Sequence, residues 1–171
     1  MSNVSQFIGS GWIPLETIEV TSTVTTVDFD SNIDDTFNNY VVTGTHTVSG
    51  TGASIYCRLK TGDPSAPINT NYRYLSTSPS ATNSGTAVVY PYAVITSYSG
   101  SFRAYFMNLR SSDGFKSIVS EMTGYLGGTM YAFGSNNALL DTSIINGIQL
   151  YPSSGGITPS SKFTLYGIQE L

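Results

Sequence analysis

From Glu16 onward the chain is interrupted every few residues by Gly, Pro or a cluster of Asn, Asp, Ser and Thr, and between the interruptions apolar side chains recur at every second position. The run 53–63 shows this most plainly: Ile55, Cys57 and Leu59 share one parity, and Tyr56, Arg58 and Lys60 take the other. A period of two is the period of a strand with one face against a core. Ile18, Val20 and Val24 alternate in the same way, whereas Val27 and Phe29 take the opposite parity, which requires a bend or bulge between the two sets. No stretch sustains a 3.6-residue period, so helices are not expected. Roughly ten short strands separated by turn signals predict an all-β fold, an antiparallel two-sheet sandwich of the jelly-roll kind.

Within that frame the segments 101–110 and 115–125 read as a hairpin about a turn at 111–114. Its first strand is apolar on both faces: Phe102, Ala104 and Phe106 lie on one side, Tyr105, Met107 and Leu109 on the other. One face is expected to meet the core and the other a partner. The stretch 63–84 reads as a long loop broken by a short strand at 72–74, and Pro91 marks an edge or a kink. Near the end, Ile144, Ile148 and Leu150 share one parity and Phe163 and Leu165 another, with a Gly, Pro, Ser and Thr linker between them. The last run closes the sheet, and no further domain is expected after it.

Residues 1–15 show neither periodicity. Phe7, Ile8, Trp12, Ile13 and Leu15 are too apolar for a free tail, while Gly9, Gly11 and Pro14 oppose a helix. Two uses are open: an arm packed along its own sandwich, or an arm that reaches a neighbouring subunit by strand addition. The division is an arm over 1–15 and a sandwich over 16–171.

Charged residues make only 11% of the chain, less than half the usual share, with hydrophobic residues at 40%. The surface is therefore wetted by hydroxyls and amides, which suits a protein that packs in an assembly. A net charge of −4, with seven scattered Lys and Arg residues, opposes nucleic-acid binding, which needs clustered cations. A lone cysteine gives no disulfide framework, and the apolar runs fall short of a membrane span.

Chemistry is sparse. His46, the single histidine, shares a face with Val42 and Val48 and reads as a hydrogen-bonded, partly buried sandwich residue. Cys57, mid-strand and inward, reads as an inert core thiol. There is no Gly-x-Ser-x-Gly elbow, zinc spacing or phosphate loop. Asp28, Asp30, Asn32 and Asp34 are spaced like the first half of a calcium loop, but Ile33 stands where Gly is needed and Asn39 where Glu is needed. These four are therefore read as turn residues. No catalytic residue, metal or cofactor is expected, and the protein is expected not to be an enzyme. Tyr90, Tyr92 and Tyr98, with Tyr72 and Tyr74, lie among hydroxyl- and amide-rich segments. They suit either packing and subunit contact or the binding of a glycan.

The motifs VDFD (27–30), FNNYVVTG (37–44), SIYCRLKTGD (54–63), NYRYLSTS (71–78) and the closing GIQLY…KFTLYGI together resemble a β-sandwich domain of tailed-phage structural proteins. The resemblance implies no catalytic residues. It implies a virion protein, commonly homotrimeric, of a family that includes capsid decoration (cement) proteins, head fibres and receptor-binding fibre tips. The short apolar N-terminus fits a cement protein on the outer surface of the head, with further copies of itself and the major capsid protein as partners. The alternative is a receptor- or carbohydrate-binding domain of a tail or head fibre, its partner a host-surface glycan. The residues expected at a capsid or subunit interface are Phe7, Ile8, Trp12, Ile13, Leu15, Phe102, Tyr105 and Met107, and those expected to touch a glycan are Tyr90, Tyr92 and Tyr98.

Overall fold

Alternation becomes burial along the strand Ile55–Thr61, where Ile55, Cys57 and Leu59 are buried and Tyr56 and Arg58 are half-exposed. In the computed structural model the described residues are 11–49, 53–69, 71–75, 82–85, 99–126 and 129–169. They contain strands and no α-helix. The strands are β1 (Trp12–Glu19), β2 (Val27–Phe29), β3 (Asn39–Thr47), β4 (Ile55–Thr61), β5 (Ala66–Pro67) and β6 (Tyr72–Leu75). After them come β7 (Thr82–Gly85), β8 (Ser99–Met107), β9 (Lys116–Leu126), β10 (Thr129–Leu139), β11 (Gly147–Pro152) and β12 (Lys162–Ile168).

Two antiparallel sheets result, a large one in the order β1-β12-β3-β8-β9-β10-β6-β7 and a small one in the order β2-β11-β4-β5. The pairs nest: β1 with β12, β2 with β11, β3 with β8 and β4 with β5. Successive pairs alternate between the sheets, so the chain is one long hairpin rolled into two layers, the jelly-roll arrangement. Strands β9, β10, β6 and β7 extend the large sheet beyond β8, and β8–β9 is the hairpin read from the sequence. The segment 30–38, which holds Asp30, Asn32 and Asp34, carries turns and bends and no helix.

Between the layers lie Phe29, Leu59, Ile148 and Leu150 from the small sheet and Tyr40, Phe106, Ile118 and Phe163 from the large one, all essentially without solvent exposure. Burying each such side chain contributes about 1.5–3 kcal/mol. Tyr72 crosses the gap, its hydroxyl accepting a hydrogen bond from the Leu59 backbone N–H at 2.9 Å. Desolvation holds that phenol far above its usual pKa. Tyr72 is thus a core residue, which removes it from the set of tyrosines considered for ligand contact.

Sandwich and arm divide differently from the sequence reading. Strand β1 begins at Trp12 and pairs with β12, so residues 12–15 belong to the large sheet. An irregularity between Pro14 and Glu16 shifts the register by one residue. Pro14 lacks an N–H, and it sits where a proline is tolerated, on an edge strand beside a bulge. The shift has a large effect on direction. Counted along an unbroken strand, Trp12 would share a face with Ile18, which packs toward the core. The extra residue turns Trp12 to the outer face instead.

At Gly44 in β3, an added Cβ would lie 2.5 Å from the Phe163 ring and 2.8 Å from the Phe102 ring. Both rings are buried and cannot swing into solvent. Gly44→Ala is expected to cost about 1–3 kcal/mol, the range for overpacking. The urea midpoint measures this, and a midpoint equal to that of the parent protein would show that the rings give way freely.

Candidate functional site

On the outer face of the large sheet, residues from four strands, β1, β3, β8 and β12, come together. Val41 of β3 is in register with Tyr105 of β8 on one side and Tyr166 of β12 on the other. Val41 points away from the core yet has no solvent exposure. Its cover is aromatic: Trp12 lies edge-on to Tyr105, with ring centroids 5.9 Å apart and planes at 77°, and tilted to Tyr166 at 5.6 Å and 52°. Trp12 itself stays 37% exposed. The Arg103 guanidinium stands 5.4 Å from the Tyr105 ring and 5.9 Å from the Trp12 ring, within cation–π range. It also pairs with Glu121 of β9 at 2.6 Å, and that hydrogen bond raises the already high pKa of Arg103.

Beside this cluster the same face sinks into an open trough of about 600 Å³. Its outward-facing lining is Ser101, Arg103, Glu121, Thr123, Ala132 and Gly134, all exposed. The depression follows from the sequence of β10, which sets Ala132 and Gly134 opposite Thr123 and Glu121. A Ser101–Thr123 hydroxyl pair at 2.8 Å lines it as well. At the end of the sheet nearest the β8–β9 turn, Phe115 and Leu140 are also exposed.

The residues expected at an interface separate on this scaffold. Trp12 and Tyr105 meet, and Met107 follows Tyr105 by two positions on β8, so it shares the outer face and is half-buried. Phe102 is a correction: at 6% exposure it packs against Phe163 between the layers and offers nothing to a partner. Leu15 is partly buried against the core. Ile13 is exposed but takes the parity opposite to Trp12, and it lines a groove with Phe37 and Ile168. Phe7, Ile8, Tyr90, Tyr92 and Tyr98 lie outside the described residues, as does Pro91. Tyr166, Arg103, Glu121 and Gly134 were not foreseen, because parity assigns a side chain to a face without saying which strands adjoin.

The acidic run resolves into separate contacts. The Lys60 ammonium lies 3.0 Å from Asp28 and 2.7 Å from Asp30, and Gln149 Nε2 donates to Asp28 at 2.8 Å. Burial works against the charge on Lys60, but its hydrogen bonds to Asp30 and Asp28 outweigh that and lift its pKa. Asn32 donates to Glu16, and Asp34 accepts from the Thr36 N–H. Lysine thus supplies the cation between Asp28 and Asp30. Among the described residues no group of three or more His, Cys, Asp or Glu side chains is placed to hold a metal ion. Cys57 is fully buried, and its thiol is pushed far above its usual pKa by desolvation.

His46 is buried deeper than expected, at 3% exposure, and packs against Phe102 with ring centroids 6.0 Å apart. Its Nδ1 has no hydrogen-bond partner among the described residues, where a hydrogen-bonded imidazole was expected. Burial pushes its pKa down to about 4.

No family model matches the chain, and no curated protein does. Among solved structures, the chain is similar to the marine PL-14 alginate lyase from Aplysia kurodai at 8% identity and a TM-score of 0.38, over 98% of this chain and 93% of that one. That protein is an enzyme, where the sequence reading expected a chain without enzymatic activity, and that expectation is withdrawn. At this distance the likeness says nothing about the chemistry of this chain.

The His46 environment predicts a specific acid sensitivity. Between about pH 6.5 and about 4 the unfolded chain binds a proton at His46 that the folded chain refuses, so stability falls as the pH falls through this window. The contribution is on the order of 3 kcal/mol, and below about pH 4 this group adds no further loss. Urea unfolding across the window should show a shallower decline for His46→Phe than for the parent chain. Parallel curves would refute the assignment.

Proposed function

We propose that this protein is a structural protein of a tailed-phage virion, a cement or decoration protein that joins neighbouring subunits on the outer surface of the head. The phage setting rests on the resemblance of the strand motifs described above. One structural observation carries the assembly role: the exposed Trp12–Tyr105–Tyr166 cluster with Arg103 alongside. Trp, Tyr and Arg are the residue types that dominate binding energy at protein interfaces, and Met is enriched there too. Here they gather on the face of a sheet where Thr and Ser are the commonest of the remaining outward residues.

The same cluster favours protein contact over sugar stacking. A sugar stacks on an open ring face, and these rings meet at 77° and 52° rather than forming one flat surface. Edge-on rings form a knob that suits a complementary protein surface. The fibre reading remains the second one, resting on Tyr90, Tyr92 and Tyr98, and binding to host-surface glycans that is lost in their alanine variants would support it.

Removing residues 1–15 would cut into β1, so point variants are the cleaner test. Trp12→Ala and Tyr105→Ala should fold, because both side chains lie outside the inter-sheet core. Each should lower occupancy on stripped capsids by about tenfold or more at limiting protein, the scale of losing a hot spot. Densitometry of sedimented capsids gives the answer, and full occupancy by Trp12→Ala would end the proposal.

A further inference from the structure

The outer face carries a knob and a hole side by side. The knob is the Trp12 cluster, and the hole is the trough floored by Ala132 and Gly134 of β10, two strands away from β8. Adjacent strands are spaced by about 4.8 Å, so the trough floor lies roughly 10 Å from the strand that carries Tyr105. Between them stand Arg103 and Glu121, exposed at 44% and 62%. We infer that this face docks on the same face of a second copy of the chain about a two-fold axis near Arg103, with each Trp12 seated in the other copy's trough and each Arg103 facing the other's Glu121. The inference rests on the reading of this face as a contact surface, and it names the partner.

A second copy is the occupant for two reasons. A two-fold contact is isologous, so one patch must be complementary to itself, and a knob beside a hole on one face meets that condition. Charge gives the second reason. The whole chain carries −4, so copies repel in most orientations. The outward charges described on this face are Glu19 with Lys162 and Arg103 with Glu121, two of each sign. Two such faces meet without net repulsion, and the Arg103–Glu121 pair can exchange partners across the axis. A heterologous ring, the geometry of the expected trimer, would need knob and hole on surfaces that face different ways.

The test is sedimentation of the full chain with its single-charge variants. Wild type should sediment as a dimer, and the fluorescence of the sole tryptophan, Trp12, should shift to the blue as concentration rises. Arg103→Glu and Glu121→Arg each set like charges across the axis and should weaken dimerisation by about tenfold or more. Mixing the two variants restores opposite charges across the axis. The introduced glutamate of one copy then faces the introduced arginine of the other, and the native Glu121 of the first faces the native Arg103 of the second. A heterodimer should therefore form although the pair within each chain stays broken. Gly134→Gln should fill the trough and leave a folded monomer, since a Cβ there meets only the Ser120 carbonyl at 3.6 Å. Thermal melts of every variant separate lost contact from lost fold.

A monomeric or trimeric wild type, dimers unaffected by either charge variant, or a mixture that stays monomeric would overturn the inference. A monomer that still needs Trp12 to add to capsids would leave the assembly role standing without the two-fold. Dimers that stripped capsids never take up would remove the assembly role and leave the two-fold.

Discussion

The pairing of the first and last described strands, β1 against β12, is the constraint on which the rest of the molecule depends. It is the outermost rung of the nested hairpin, and β12 in turn pairs with β3, so a single strand joins the N-terminal segment to the body of the large sheet. In this register the buried Phe163 and Leu165 of β12 stand opposite Ile18 and Glu16 of β1. The pairing is as remote in sequence as any in the chain, and its loop-closure entropy is offset by the core that it completes. The irregularity at Pro14 belongs to the same rung, and it decides that the only tryptophan faces outward.

Buried polar groups divide into those that hold the structure and those that burden it. Tyr72 and Lys60 are satisfied, the first by a backbone N–H of the opposite sheet and the second by two aspartates. Lys116, buried at the start of β9, donates to the Ser111 carbonyl and so ties down the hairpin loop. His46 is different, because its buried Nδ1 has no partner among the described residues. A neutral imidazole is tolerated there and a charged one is not, which makes acid the natural stress on this fold.

The strand sequences announced their own layer well. Ile55, Cys57 and Leu59 went to the core, the 101–125 hairpin formed, and the absence of helical periodicity matched the absence of helix among the described residues. The acidic run was legible as turn chemistry from Asp30 onward, whereas Asp28 lies within β2, and the partner Lys60 was not legible, since a strand-parity argument places lysine in solvent. The misreadings have two causes. Phe102 and Tyr105 lie on one strand with both faces apolar, and alternation alone cannot say which face meets the second sheet. Leu15 and Ile13 were assigned to an arm because Pro14 hides the period of an edge strand.

What the amino-acid sequence determined by itself is the all-β layering, because the period of two acts locally and every strand carries its own copy of the signal. What only the tertiary structure decided is the composition of the outer face. Trp12, Val41, Tyr105 and Tyr166 become neighbours through strand order, and Trp12 joins them through a one-residue register shift. Strand order and register are set by which hydrogen bonds close the sheet, a property of the whole folded chain that no segment carries alone.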